Sequence, residues 1–276
     1  MAVRANEMGA RRAAPTVLPS GPWVIVLGMH RSGTSVVAGS LAEMGLRLPN
    51  GPDLMPGGPY NPRHNESLGL TALDEALLAR AGGTWDAPGP EGDEWVDGAL
   101  DELSEVAGDT ARRVFAGSGP LVWKDPRLCL VLPFWRRLLP APTRAVFVWR
   151  APLAVARSLQ RRDGFSPDYG LRLWERHVHD GLRHLAGMPT FFLRYELLVA
   201  DPEAVLTALA GWLGSQAVLD VAEESVRAAS ALVSPALCHE VGDGPVPRRI
   251  RAVVDALEAR SSLPGPGSRG SRGSRG

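Results

Sequence analysis

The sequence predicts an α/β fold: a single domain with a central, mainly parallel sheet and helices on both faces. Three observations predict it. Four short apolar runs, at residues 24–27, 121–123, 145–149 and 190–193, alternate with segments of helical periodicity. Nearly every position in each run is apolar, as a strand buried on both faces requires. The first run also leads into a glycine-containing turn that opens directly into a helix.

Residues 1–20 are polar and rich in Ala and Arg, and read as a flexible N-terminus. After the strand at 24–27, Gly28 to Gly33 make a tight turn, and helical spacing begins at Thr34 and closes at Gly45. Residues 49–65 form a long loop dense in Gly, Pro and Asn, of the kind that shapes a site. A helix runs from Ser67 to Gly82, an acidic Pro/Gly segment spans 85–95, and an amphipathic helix spans 100–115. The second strand, 121–123, meets Lys124-Asp125-Pro126, and the helix at 128–139 carries Pro133 as a kink. The third strand, 145–149, is followed by Arg150-Ala151-Pro152, a helix to about 162, a loop at 163–169 and a helix at 171–186. The fourth strand, 190–193, precedes Arg194-Tyr195 and helices that end near Ser234-Pro235. A final helix lies within 245–259, so the domain spans 21–262. Residues 263–276, with three Ser-Arg-Gly units, read as a disordered tail.

Strand ends in a parallel sheet are where ligands bind. Arg31, Lys124, Arg150 and Arg194-Tyr195 each fall just after a strand, which predicts a site for a highly anionic ligand. The first turn sharpens this expectation, because backbone N–H groups at a helix N-terminus favour phosphate or a sulfate-like group. Gly28 and Gly33 have the spacing of the phosphate-loop pattern G-x-x-x-x-G-K-[ST], but Thr34 stands where Lys belongs and the charge has moved to Arg31. The loss of that Lys argues against nucleoside triphosphate transfer.

Composition narrows the field. With 276 residues, 45% hydrophobic content and eight Trp, the chain can bury a sizeable core. A formal net charge of zero gives no global signal for nucleic acid or an anionic membrane. The two cysteines, Cys129 and Cys238, lack both disulfide-framework and metal spacing. With no signal-peptide pattern and no window long enough to span a membrane, the expectation is a cytoplasmic chain that holds no metal. Of thirty basic residues only one, Lys124, is Lys, which marks a position where a compact charge with a removable proton matters. His177 and His184 share a helix face two turns apart and read as surface or substrate-facing residues.

Arg31-Ser32-Gly33-Thr34-Ser35 resembles the 5′-phosphosulfate loop of the sulfotransferase family, which uses 3′-phosphoadenosine 5′-phosphosulfate (PAPS). The segment 149–159, with Arg150 and Ser158 eight residues apart, resembles the family's 3′-phosphate motif. Lys124-Asp125-Pro126 is similar to the segment that supplies a catalytic Lys, and Glu66 matches a Glu that serves as base, with His64 the other candidate. Tyr195 matches the family's Tyr in Arg-Tyr-Glu, which helps place the adenine or the donor-side loop; a buried core Tyr is its structural alternative. Arg248 and Arg249, followed by Arg251, sit where a late basic segment closes over the 3′-phosphate.

The resemblance implies a P-loop-like three-layer α/β/α domain of the bacterial type. Arg31, Ser32, Gly33, Thr34 and Ser35 would hold the phosphosulfate, and Arg150 and Ser158 the 3′-phosphate. Lys124 and Arg31 would assist the leaving group. The acceptor would be a small-molecule, glycan or lipid hydroxyl. Arg161-Arg162 and the loop at 163–169 would border its pocket. Two other classes stand beside this one: a P-loop kinase of a small metabolite, and a catalytically inactive nucleotide-binding module.

Overall fold

The computed structural model describes residues 18–58, 61, 63–234 and 244–263. Four strands, β1 (Trp23–Leu27), β2 (Leu121–Lys124), β3 (Arg144–Trp149) and β4 (Thr190–Arg194), form an all-parallel sheet in the order β2-β1-β3-β4. The chain therefore reverses direction across the sheet at β1, with β2 on one side and β3 on the other. The register aligns the carboxyl ends: Val26 lies opposite Lys124, Leu27 opposite Phe147, and Trp149 opposite Arg194. The segment after each strand is thus delivered to a single edge, at a topological switch point.

Alternation along β1 explains the layers. Val24 and Val26 face a core built with α1 (Thr34–Glu43), α8 (Pro202–Ser215) and α9 (Glu223–Ala231). Trp23, Ile25 and Leu27 face the opposite core, supplied by α2 (Leu68–Arg80), α3 (Val96–Val114), α4 (Leu128–Arg136), α5 (Pro152–Asp163) and α6 (Pro167–His184). A strand packed on both sides has no polar face, so the apolar runs in the sequence are continuous. The short α7 (Tyr195–Ala200) follows β4 without a break, and α10 (Arg248–Ala259) packs on α6.

Helix starts differ most from the sequence expectation, and α4 ends at Arg136, three residues short of it. Helix α3 begins at Val96, four residues earlier than expected, and α6 begins at Pro167, which shortens the loop after α5. The Ser166 hydroxyl accepts from Tyr169 N at 3.3 Å, and Pro at the first helical position with Asp168 next completes a helix start. Cys238, most of the N-terminal stretch and the Ser-Arg-Gly tail lie outside the described residues.

His177 and His184 are buried, which corrects the surface reading. The face they share is the one turned inward. His177 Nδ1 donates to Leu173 O at 2.8 Å, and His184 Nδ1 donates to Cys129 O at 2.9 Å. Pro133, inside α4, has no N–H to offer the carbonyl four residues back, so His184 satisfies Cys129 O instead. Burial holds both rings below the ordinary imidazole value, His177 at about 4, so both are neutral at pH 7.

Asp74 is fully buried on α2, and its Oδ1 accepts from Trp135 Nε1 at 2.7 Å. Burial, then the neighbouring Asp125 carboxylate, raise its pKa well above the usual range, so it stays protonated and can donate to Asp125. A raised folded-state pKa gives stability that is complete below the unfolded value and is lost as pH rises towards the folded one. Asp74→Asn keeps the donor and removes the titration. Its melting temperature relative to the parent is expected to be higher at pH 7.5 than at pH 4.5. A gap that does not change with pH contradicts the protonated state.

Candidate active site

At the carboxyl edge of the sheet lies a cleft of about 650 Å³, within the size range of small-ligand pockets. Its floor is the turn between β1 and α1. Ser32 N donates to Met29 O at 3.1 Å, which closes the turn, and Arg31 takes a left-handed φ of 69°. Gly33, with φ 92°, is the residue before α1, and no side chain caps the helix. The first-turn N–H groups of Thr34, Ser35 and Val36 have no partner within the helix, and all three residues line the cleft. The helix dipole adds to their pull on an anion.

Two glycines make this turn possible. A Cβ on Gly28 would collide with Val148 O, so β1 and β3 pass this closely only because Gly28 has none. A Cβ on Gly33 would sit inside the Tyr195 ring, at a φ that L-residues avoid. Gly33→Ala is expected to lower stability by about 1–3 kcal/mol and to abolish nucleotide-induced thermal stabilisation. Unchanged melting with intact ligand response would contradict the packing of the loop on Tyr195.

Arg31 and the β3–α5 segment meet directly. Arg31 Nε donates to Ser158 Oγ at 3.0 Å, and an Arg150 guanidinium N–H reaches Arg31 O at 3.4 Å. The Arg150 guanidinium also lies 5.2 Å from the centre of the Tyr195 ring. The backbone around Arg150 is fixed independently of its side chain: Trp174 Nε1 donates to Arg150 O at 3.0 Å, and Ala151 N donates to Glu196 Oε1 at 2.8 Å. Burial, followed by Arg162 and Arg150, lowers the Arg31 pKa to about 10, with Asp163 opposing. Arg31 remains cationic at pH 7, among like charges that an anion would relieve.

The other end of the cleft is an ion-pair network around the only Lys. Lys124 is 1% exposed, and its Nζ pairs with Glu66 Oε1. Arg127 reaches Glu66 Oε2 at 3.6 Å, Glu75 Oε1 at 2.6 Å and Asp125 Oδ1 at 3.1 Å. Asp125 also accepts from Arg127 N at 2.8 Å and from the Thr71 hydroxyl at 3.1 Å. Asp125 and Arg127 thus brace Lys124 and Glu66 from behind. His64 lies at the cleft rim, where burial lowers its pKa and Glu66 partly offsets the effect. Its Nδ1 lies 3.3 Å from the Asn61 amide nitrogen, which also donates to Ser35 Oγ at 3.0 Å. Asn65 donates to Ser35 O at 2.8 Å, tying the long loop to the first turn of α1.

The cleft brings together Arg31, Gly33, Thr34, Ser35, His64, Glu66, Lys124, Arg150, Ser158 and Tyr195. Ser32 is buried beneath the loop, and its hydroxyl has no hydrogen-bond partner among the described residues. Arg161, Arg162 and Asp163 also line the cleft, whereas Arg194 does not. It pairs with Glu196 at 3.2 Å and Glu258 at 3.0 Å and lies over Trp149. Arg248 and Arg249 are not brought to the cleft either. Both are exposed at the start of α10, and Arg249 pairs with Glu175 of α6 at 2.7 Å. Sequence reasoning gave the stretch from Trp85 to Trp95 a part in the acceptor pocket but missed His30, whose ring lies 4.3 Å from that of Trp85 in the cleft lining. The position of His30 inside the turn between β1 and α1 is the signal that was available.

Among the described residues, no group of His, Cys, Asp and Glu could hold a metal ion, and no helix is long and apolar enough to cross a membrane. The model of the sulfotransferase family matches residues 22–218. The chain belongs to the sulfotransferase family. The fold of this sulfotransferase is similar to that of the sulfotransferase domain from the curacin biosynthetic pathway. The two share 18% identity and a TM-score of 0.53, over 89% of this chain and 99% of that one. The sulfotransferase domain of the Synechococcus PCC 7002 olefin synthase aligns at 20% identity over 90% of each chain, with a TM-score of 0.45. Sulfotransferase STF1 from Mycobacterium tuberculosis H37Rv aligns at 14% identity over 88% of this chain and 78% of that one, with a TM-score of 0.46. Among curated proteins, none matches the chain.

Proposed function

We propose that this sulfotransferase moves a sulfuryl group from PAPS to the hydroxyl of a small-molecule, glycan or lipid acceptor, by in-line displacement without a metal. The observation that carries the reading is the contact of two anion grips: Arg31 on Ser158 Oγ at 3.0 Å, and Arg150 on the Arg31 carbonyl. Two adjoining grips from different crossovers suit a nucleotide that carries both a 5′-phosphosulfate and a 3′-phosphate. Arg31 and Gly33 to Ser35 take the phosphosulfate, while Ser32, buried with its N–H on Met29 O, only shapes the loop; Arg150 and Ser158 take the 3′-phosphate, and Tyr195 supports the donor-side loop.

In the reaction, the acceptor oxygen forms a bond to sulfur as the bond from sulfur to the bridging oxygen breaks. The bridging oxygen keeps the electron pair and leaves as adenosine 3′,5′-bisphosphate. Lys124, with Arg31, stabilises the charge that grows there, so the cation acts more strongly in the transition state than in the ground state. Glu66 takes the acceptor proton. His64 is the less suitable base, because its Nδ1 lone pair faces the Asn61 amide donor. Lys124 and Glu66 are paired at this end of the cleft, so the charge that meets the leaving group and the base lie side by side.

Incubation with PAPS and a panel of phenols, sugars and lipid alcohols tests this reading. Release of adenosine 3′,5′-bisphosphate with a sulfated product is expected, unaffected by EDTA. Magnesium-dependent consumption of ATP would instead mark a kinase. Nucleotide binding without transfer to any acceptor would mark an inactive binding module.

A further inference from the structure

His30 lies inside the anion-binding turn, yet it is not built for an anion. It is 8% exposed, lines the cleft, and its Nε2 meets no hydrogen-bond partner among the described residues. The Trp85 ring packs against it with centroids 4.3 Å apart, and the His177 ring stands edge-on at 6.1 Å. Burial lowers its pKa, and Arg127, Arg162 and Lys124 act in the same direction as like charges, so the imidazole stays uncharged. A neutral ring adds little to the hold on a donor already surrounded by arginines. A buried polar atom without a partner is costly, and an incoming ligand atom can recover that cost. A hydroxyl can both donate and accept, so it satisfies this nitrogen in either tautomer.

We propose that His30 Nε2 hydrogen-bonds the nucleophilic hydroxyl of the acceptor and holds it beside Lys124 and Glu66, with Trp85 as the apolar wall for the carbon adjoining that hydroxyl. The acceptor is then an uncharged alcohol or phenol at its reacting end. This rests on the sulfotransferase reading above. In the transfer step the hydroxyl oxygen bonds to sulfur, the hydroxyl proton passes to Glu66, and His30 keeps its own proton count throughout. The rival role for this nitrogen is a bridge through a buried water to His177 Nε2, which also lacks a partner among the described residues.

Water is the probe, because it can occupy the hydroxyl position whatever the natural acceptor is. Single-turnover hydrolysis of PAPS by excess protein is measured alongside the affinity for adenosine 3′,5′-bisphosphate. His30→Phe keeps the ring against Trp85 and removes the hydrogen bond. It is expected to slow hydrolysis by at least about tenfold while nucleotide affinity stays within about threefold. His30→Gln restores a neutral hydrogen-bonding group and is expected to recover most of that loss, and His177→Gln to leave the rate unchanged. His30→Met takes the place of the Phe variant if the latter does not fold.

Hydrolysis that is unaffected in the Phe variant overturns the proposal. So does an equal loss in His30→Gln or His177→Gln, or a native protein that binds PAPS and does not turn it over with water. Failure of the native protein to bind either nucleotide defeats the donor reading itself, and is told apart by the affinity measurement alone.

Discussion

Replacing Lys124 by Met is expected to lower sulfuryl transfer by about 10²–10³-fold while the affinity for adenosine 3′,5′-bisphosphate changes little. The two readouts separate because Lys124 lies at the Glu66 end of the cleft, away from the contact of Arg31 with Ser158. In the proposed reaction its charge matters most when the bridging oxygen becomes anionic, so its loss is expected in kcat rather than in nucleotide binding. Removing one member of a buried ion pair also costs stability, on the order of 3–5 kcal/mol when the other is left unpaired. Here Arg127 still reaches Glu66 at 3.6 Å, which moderates that cost. The double variant Lys124→Met/Glu66→Gln removes both charges and separates folding from chemistry: it is expected to melt above the single variant and remain inactive. Lys124→Met with full turnover would take Lys124 out of the mechanism.

Arg150→Ala is expected to have the opposite signature, a weakening of nucleotide binding by about 10–100-fold with a minor effect on folding. Its carbonyl is held by Trp174 Nε1 and the next N–H by Glu196, so the strand end stays in place when the side chain is removed. The variant loses the guanidinium that bonds the Arg31 carbonyl and lies over Tyr195. The loss is expected to be larger for adenosine 3′,5′-bisphosphate than for adenosine 5′-monophosphate, which lacks the 3′-phosphate. Calorimetric titration of both ligands checks this; an equal loss for the two would move Arg150 away from the 3′ position.

The strands were the most legible part of the sequence. A run such as Val24-Ile25-Val26-Leu27 is apolar throughout because both faces of β1 are covered, and that pattern is independent of partners distant in the chain. Arg31, Arg150 and Ser158 were legible through their place after strands and the motifs they resemble. The buried histidines were not. His177 and His184 look like surface residues on a helix until their carbonyl partners are known, and the partner of His184 exists because Pro133 frees it. Arg194 follows a strand just as Arg150 does, yet Glu196 and Glu258 turn it away from the cleft. Position after a strand brings the backbone to the edge, and local carboxylates then decide where the side chain goes. Arg249 is diverted in the same way, by Glu175 on a helix that precedes it by more than sixty residues.

In the proposed function, Arg31 and Arg150, from different crossovers, serve a single ligand that is anionic at both its 5′ and its 3′ end. Calorimetric titration of adenosine 3′,5′-bisphosphate against ADP, without magnesium, tests this most directly, since the two carry the same number of phosphates and differ in where the second one sits. Binding of the 3′,5′-bisphosphate at least about tenfold tighter, or about 1.4 kcal/mol, is the predicted result. Equal affinities, or a preference for ADP, would contradict it.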